Sequence, residues 1–124
     1  MRERSRIAIF RHQLFLLYFC TKGELTTAKL ESDFQKDLMD EIRRIFPGCI
    51  IIKNDSGYIQ GFPDWTIFYR DRWAVLEAKR SEYAEHQPNQ DDYVNQLNYM
   101  SFSRFVYPEN KDEVLEELYR HFKY

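Results

Sequence analysis

Two runs rich in β-branched and aromatic residues, 64–69 and 73–79, are separated only by Arg70-Asp71-Arg72. No other feature limits the fold of this chain as strongly. Short runs of Trp, Ile, Phe, Tyr and Val this close together form an antiparallel hairpin. Pairing across it sets the start of the first strand beside the end of the second, so Asp64 comes to lie near Glu77. Side chains alternate along a strand, so Glu77 and Lys79 share a face and Ala78 points the other way. A one-residue slip of register would disperse the group.

The flanking segments supply layers for this hairpin. In 31–46, Phe34, Leu38, Ile42, Ile45 and Phe46 recur at steps of three and four with charges between them, which predicts an amphipathic helix. Pro47-Gly48 ends it. Cys49-Ile50-Ile51-Ile52 reads as a buried strand, closed by the polar Asn54-Asp55-Ser56-Gly57. After a polar loop over 81–89, a helix is expected over 89–100 with Tyr93, Val94, Leu97 and Met100 on its apolar face. A short strand over 104–107 stops at Pro108. Asn110 then caps a last helix, with Glu113 as its capping-box partner and Val114, Leu115, Leu118 and Phe122 facing the core. The order helix, strand, hairpin, helix, strand, helix predicts an α/β fold, a mixed central sheet flanked by helices.

A chain of 124 residues fits a single domain. Its net charge of −2 gives no global positive field, which speaks mildly against nucleic acid without excluding it, since phosphate contacts need only local clusters of bases. Cys20 and Cys49 with His12, His86 and His121 show no zinc spacing, so the cysteines read as reduced thiols, Cys49 buried. The apolar run 14–20, preceded by Arg2, Arg4, Arg6 and Arg11, is too short for a membrane span and lacks a signal-peptide cleavage pattern. Residues 1–30 are therefore expected to be an extension. It is either a helix or strand packed on the domain or, in part, the product of an upstream start codon, because Lys22-Gly23-Glu24 can be encoded by a purine-rich string. The domain proper is expected over 31–124.

Asp64, Glu77 and Lys79 sit near strand ends in apolar surroundings. Two carboxylates offer hard oxygen ligands to Mg²⁺ or Mn²⁺, and an adjacent ammonium can position a water or assist its deprotonation. The trio alone is equally consistent with a structural ion pair in which Lys79 neutralises two acids.

The wider pattern shifts the balance toward the metal site. Glu31-Ser32-Asp33-Phe34-Gln35, Asn54, Gly61-Phe62-Pro63-Asp64, Glu77-Ala78-Lys79-Arg80 and Gln90 together resemble the PD-(D/E)XK nuclease superfamily. Within it, the chain is most similar to the virus-type replication-repair nucleases and small phage or prophage relatives, over about 31–122. The resemblance implies a restriction-endonuclease-like α-β-β-β-α-β core and a Mg²⁺- or Mn²⁺-dependent DNA endonuclease. It implies metal ligation by Asp64, Glu77, the Ala78 carbonyl and Glu31, with Asp64, Glu77 and Lys79 as the catalytic set and Lys79 acting on the water. Gln90, Asn54 and Gln35 are lower-tier site residues. Relatives carry glycine after the Glu-x-Lys, where this chain has Arg80-Ser81-Glu82, so the loop differs.

Each addition has a plainer explanation. Glu31 can simply favour a helix N-terminus, Gln35 be solvated, Gln90 sit in a first turn and Asn54 end a strand. Among the bases, Lys53 and Arg80 flank the proposed site and are expected to contact phosphate, ahead of Arg70, Arg72 and Arg43-Arg44. Tyr58 fits loop packing better than base stacking. Hydrolysis by direct attack of water, a preference for flaps, branches or four-way junctions, DNA as partner, a homodimer, no membrane association and a bacterial cytoplasmic setting follow as expectations. The alternative is a non-catalytic nucleic-acid-binding or protein-interaction module on the same fold.

Overall fold

The computed structural model of the chain describes residues 27–124, with side chains from Glu31 onward. Expectations for the extension up to residue 26 lie outside the described residues. Among the described residues, three helices and four strands follow in the order α1 (Thr27–Ile45), β1 (Ile50–Lys53), β2 (Trp65–Tyr69), β3 (Arg72–Ala78), α2 (Gln90–Met100), β4 (Ser103–Val106) and α3 (Lys111–Lys123). They form a mixed α/β fold around one sheet, ordered β1-β2-β3-β4. The first two pairings are antiparallel and β3–β4 is parallel, with α2 as its crossover.

The hairpin register is Trp65↔Leu76, Ile67↔Ala74 and Tyr69↔Arg72. Arg72 belongs to β3, leaving a two-residue turn in which Arg70 takes a left-handed φ of 58°. Alternation along β2 and β3 turns Ile67, Tyr69, Ala74, Leu76 and Ala78 into the main core. Phe34, Leu38, Met39, Ile42 and Phe46 close that core from α1, and Val114, Leu115, Leu118, Tyr119 and Phe122 close it from α3. Val75 and Glu77 look to the other face, where α2 packs against β3 and β4 and buries Val94.

Several expectations change on folding. The β1 run is not buried: among the described residues β1 is an edge strand, and Ile50 and Ile52 are exposed, as is Phe68 opposite Ile50. The reason is coverage, since α2 reaches only the β3–β4 end of that face. Cys49 is half-buried rather than enclosed, and burial pushes its thiol above the usual range against the lowering field of Arg43. Met100 is exposed, because α2 presents only a narrow apolar stripe. Asn110 stands at the start of α3 but makes no side-chain cap. Its amide bridges back to strand β4 instead, accepting from Tyr107 N–H at 2.9 Å and donating to the Phe105 carbonyl at 3.1 Å.

A buried ion pair ties the two core helices together. Lys111 Nζ donates to Glu41 Oε2 at 2.9 Å. Among the described residues, no helix is long and apolar enough to cross a membrane.

Candidate functional site

Continuing the hairpin register one step beyond Trp65↔Leu76 sets Asp64 opposite Glu77. The two carboxyls are close enough to hydrogen-bond through a shared proton. Glu77 is only 3 % exposed, and its Oε1 has no hydrogen-bond partner among the described residues. Burial, then the neighbouring Asp64 charge and the bond to Asp64, push the Glu77 carboxyl up from 4.5 to about 8 against the opposing fields of Lys79 and Lys53.

Lys79 is buried just past the end of β3, its backbone N–H donating to the Val106 carbonyl at 2.8 Å. Its ammonium donates to the Glu85 carbonyl at 3.1 Å. Among the described residues it makes no direct ion pair with Asp64 or Glu77. The ammonium still acts on Glu77 through its field, which opposes the rise of that carboxyl. Ala78 turns its methyl into the main core, which leaves only its backbone for the site.

Asp64 is fixed by Asn54. Asn54 follows Lys53, which pairs with Trp65, so it falls opposite Asp64. Its backbone N–H donates to the Asp64 carbonyl at 2.7 Å, and its side-chain Nδ2 donates to the Pro63 carbonyl and to Thr66 Oγ1, both at 2.8 Å. Asn54 thus does more than end a strand: it clamps the two residues on either side of the Pro63–Asp64 peptide. The β1–β2 register was the signal that would have revealed Thr66 as its partner.

Gln90 is buried at the start of α2, and its Oε1 accepts from Gln87 N–H at 2.8 Å. It shapes the loop between Lys79 and α2. That loop also touches the approach to Asp64, because a Cβ on Gly61 would lie 2.4 Å from the Pro88 carbonyl oxygen. Gly61 has φ +86°, so both its conformation and its surroundings exclude a side chain. His86, which has no zinc-like setting, stacks on Phe105 with ring centroids 4.1 Å apart and bonds Asp91 at 2.7 Å. These contacts hold the stretch that presents the Glu85 carbonyl to Lys79. Sequence patterning missed Gly61, Glu85 and His86 in these roles because each depends on a contact between distant segments.

Glu31 lies in the second turn of α1, which begins at Thr27, and not at the helix N-terminus. Among the described residues no group of three or more His, Cys, Asp or Glu side chains that could hold a metal ion gathers. Gln35, one turn on, accepts from Lys53 Nζ at 3.3 Å, and that ammonium lies 4.5 Å over the Trp65 ring. Arg80 is exposed next to Lys79. Arg72 instead donates to the His121 carbonyl, and Arg43 pairs with Asp40 at 3.3 Å.

No family model, curated protein or solved structure matches this chain.

Proposed function

We propose that this chain is a divalent-metal-dependent DNA endonuclease that hydrolyses phosphodiester bonds. The observation that carries the reading is the buried Glu77 carboxyl, with one oxygen unpartnered, set against Asp64 and not directly paired with Lys79. Two carboxyls this close cannot both ionise without a cation between or beside them. Their oxygens are hard donors that suit Mg²⁺ or Mn²⁺, and the Ala78 carbonyl adds a third such donor. When bound, the ion supplies Lewis-acid stabilisation of charge on the scissile phosphate.

The chain's own residues supply the rest. Asn54 holds Asp64 in place through the backbone, and the hairpin register holds Glu77 opposite it. Lys79, fixed through its backbone to β4 and through its ammonium to Glu85, keeps two further N–H donors for a water or a phosphate oxygen. Lys53 and Arg80 offer positive charge to the phosphates on either side. A domain this small reads DNA shape more readily than a long sequence, which favours flaps, branches or four-way junctions and paired action by two copies.

Cleavage of labelled single-stranded, duplex, flap and four-way-junction DNA in Mg²⁺ or Mn²⁺ tests the reading, with Lys79→Ala compared at matched folding. Metal-dependent cutting that disappears in the variant is the expected result. A folded wild type that cuts none of the substrates sinks the proposal.

A further inference from the structure

The loop between Asn54 and Phe62 contains the least expected side chain of the chain. Tyr58 is 85 % exposed, so it does not pack the loop that carries it. Beside it opens a cavity of about 270 Å³ lined by Asn54, Asp55, Tyr58, Ile59 and Phe62. That volume falls just below the roughly 300–1,000 Å³ of pockets that enclose whole drug-sized ligands, and it suits one flat ring system. Its lining is largely apolar. Phe62 is itself braced from behind by Tyr93, with ring centroids 5.7 Å apart.

The cavity is joined to the carboxylate pair by covalent and hydrogen-bonded links. Phe62 is two residues from Asp64, and Asn54, which lines the cavity, is the residue that clamps Pro63 and Asp64. A ligand seated there would touch the two segments, through Phe62 and Asn54, that carry and clamp Asp64.

The geometry points to a nucleobase subsite: one unstacked base of the DNA, next to the cut, enters this cavity and stacks on Tyr58. Stacking on an exposed aromatic ring is how proteins hold single-stranded bases, because every base offers a π-face. Asp55 adds a preference. One of its carboxylate oxygens accepts from Gly57 N–H at 2.8 Å, and the other has no partner among the described residues. A free carboxylate oxygen accepts from an exocyclic amino group, which cytosine, adenine and guanine carry and thymine lacks. The subsite rests on the nuclease reading and gives it a substrate form: DNA with an unpaired or readily unpaired base beside the scissile bond.

The test uses the full chain in Ca²⁺, which takes the same oxygen ligands as Mg²⁺, and measures binding of labelled oligo(dC), oligo(dT) and an abasic strand of equal length. Cutting of the DNA panel is measured in parallel in Mg²⁺. Tyr58→Ala should weaken oligo(dC) binding by about 5- to 150-fold, while Tyr58→Phe keeps it and the abasic strand is indifferent to either change. Asp55→Asn keeps an oxygen for Gly57 but turns the free acceptor into a donor, so it should lower the preference for dC over dT. An unchanged preference overturns the role of Asp55. If wild type cuts DNA and Tyr58→Ala binds every strand as wild type does, the subsite is overturned and the nuclease stands. Tyr58-dependent binding without cutting of any substrate keeps the subsite and overturns the nuclease. Absence of both binding and cutting overturns both.

Discussion

Replacing Glu77 with glutamine should change how metal-free stability depends on pH. The folded carboxyl, at about 8, lies above its unfolded value of 4.5. The folded state therefore holds a proton that the unfolded state releases between these limits. Stability from this source is complete below about pH 4.5 and is lost as pH rises toward 8, with a slope approaching ~1.4 kcal/mol per pH unit. Summed over the window the loss is on the order of 3–5 kcal/mol, and the proton belongs to the Asp64–Glu77 pair as a unit. Glutamine keeps the shape and carries no titrating proton. Urea unfolding of both proteins in chelator, at intervals from about pH 4.5 to about pH 8, reads the difference. Wild type should fall relative to Glu77→Gln by up to one proton's slope. Saturating Mg²⁺ should reverse the trend for wild type alone, because metal binding requires the ionised pair and adds about 2.7 kcal/mol at a hundredfold excess over Kd. Parallel curves for the two proteins in chelator would refute the argument from burial.

Three further substitutions probe the scaffold. Asn54→Ala strands the Pro63 carbonyl and Thr66 hydroxyl, and should cost about 2–3 kcal/mol in urea unfolding and slow cutting; an unaltered midpoint and rate would remove Asn54 from the site. Gly61→Ala forces a Cβ against the Pro88 carbonyl from a left-handed conformation, so a loss above about 1 kcal/mol is expected, and a neutral result would show that the loop yields freely. Lys111→Met leaves the Glu41 charge inside the protein. Its unfolding free energy should drop by about 3–5 kcal/mol, and a restoring effect of the added Glu41→Gln change would identify the charge as the cause.

What could be read along the chain was whatever depended on short spacings. The hairpin, the apolar stripe of α1 through Phe34, Leu38 and Ile42, and the juxtaposition of Asp64 with Glu77 all follow from periods of two or 3.6 and a short turn. Ile50 and Ile52 look identical in sequence to buried strand residues, because exposure depends on how far α2 reaches across the sheet. Asn110 chose between its own helix and strand β4, two options of similar local cost. Tyr58 and Gln90 exchanged expectations, the aromatic outside and the amide inside, since only the fold shows which loop has a wall behind it. Glu31 was displaced from the helix end because α1 begins a turn earlier than its apolar stripe.

The parallel joint between β3 and β4 has a consequence in time. The pairing of Asp64 with Glu77 needs only a two-residue turn, and hairpins of this kind close within about 1–10 μs. Lys79 gains its bond to Val106 only after α2 has crossed over and β4 has docked, a closure over a much longer loop. During folding the carboxyls are thus brought together before their lysine is anchored. In that early hairpin the face carrying Glu77 is still open to water, so the burial that pushes its carboxyl up arrives only with the crossover of α2.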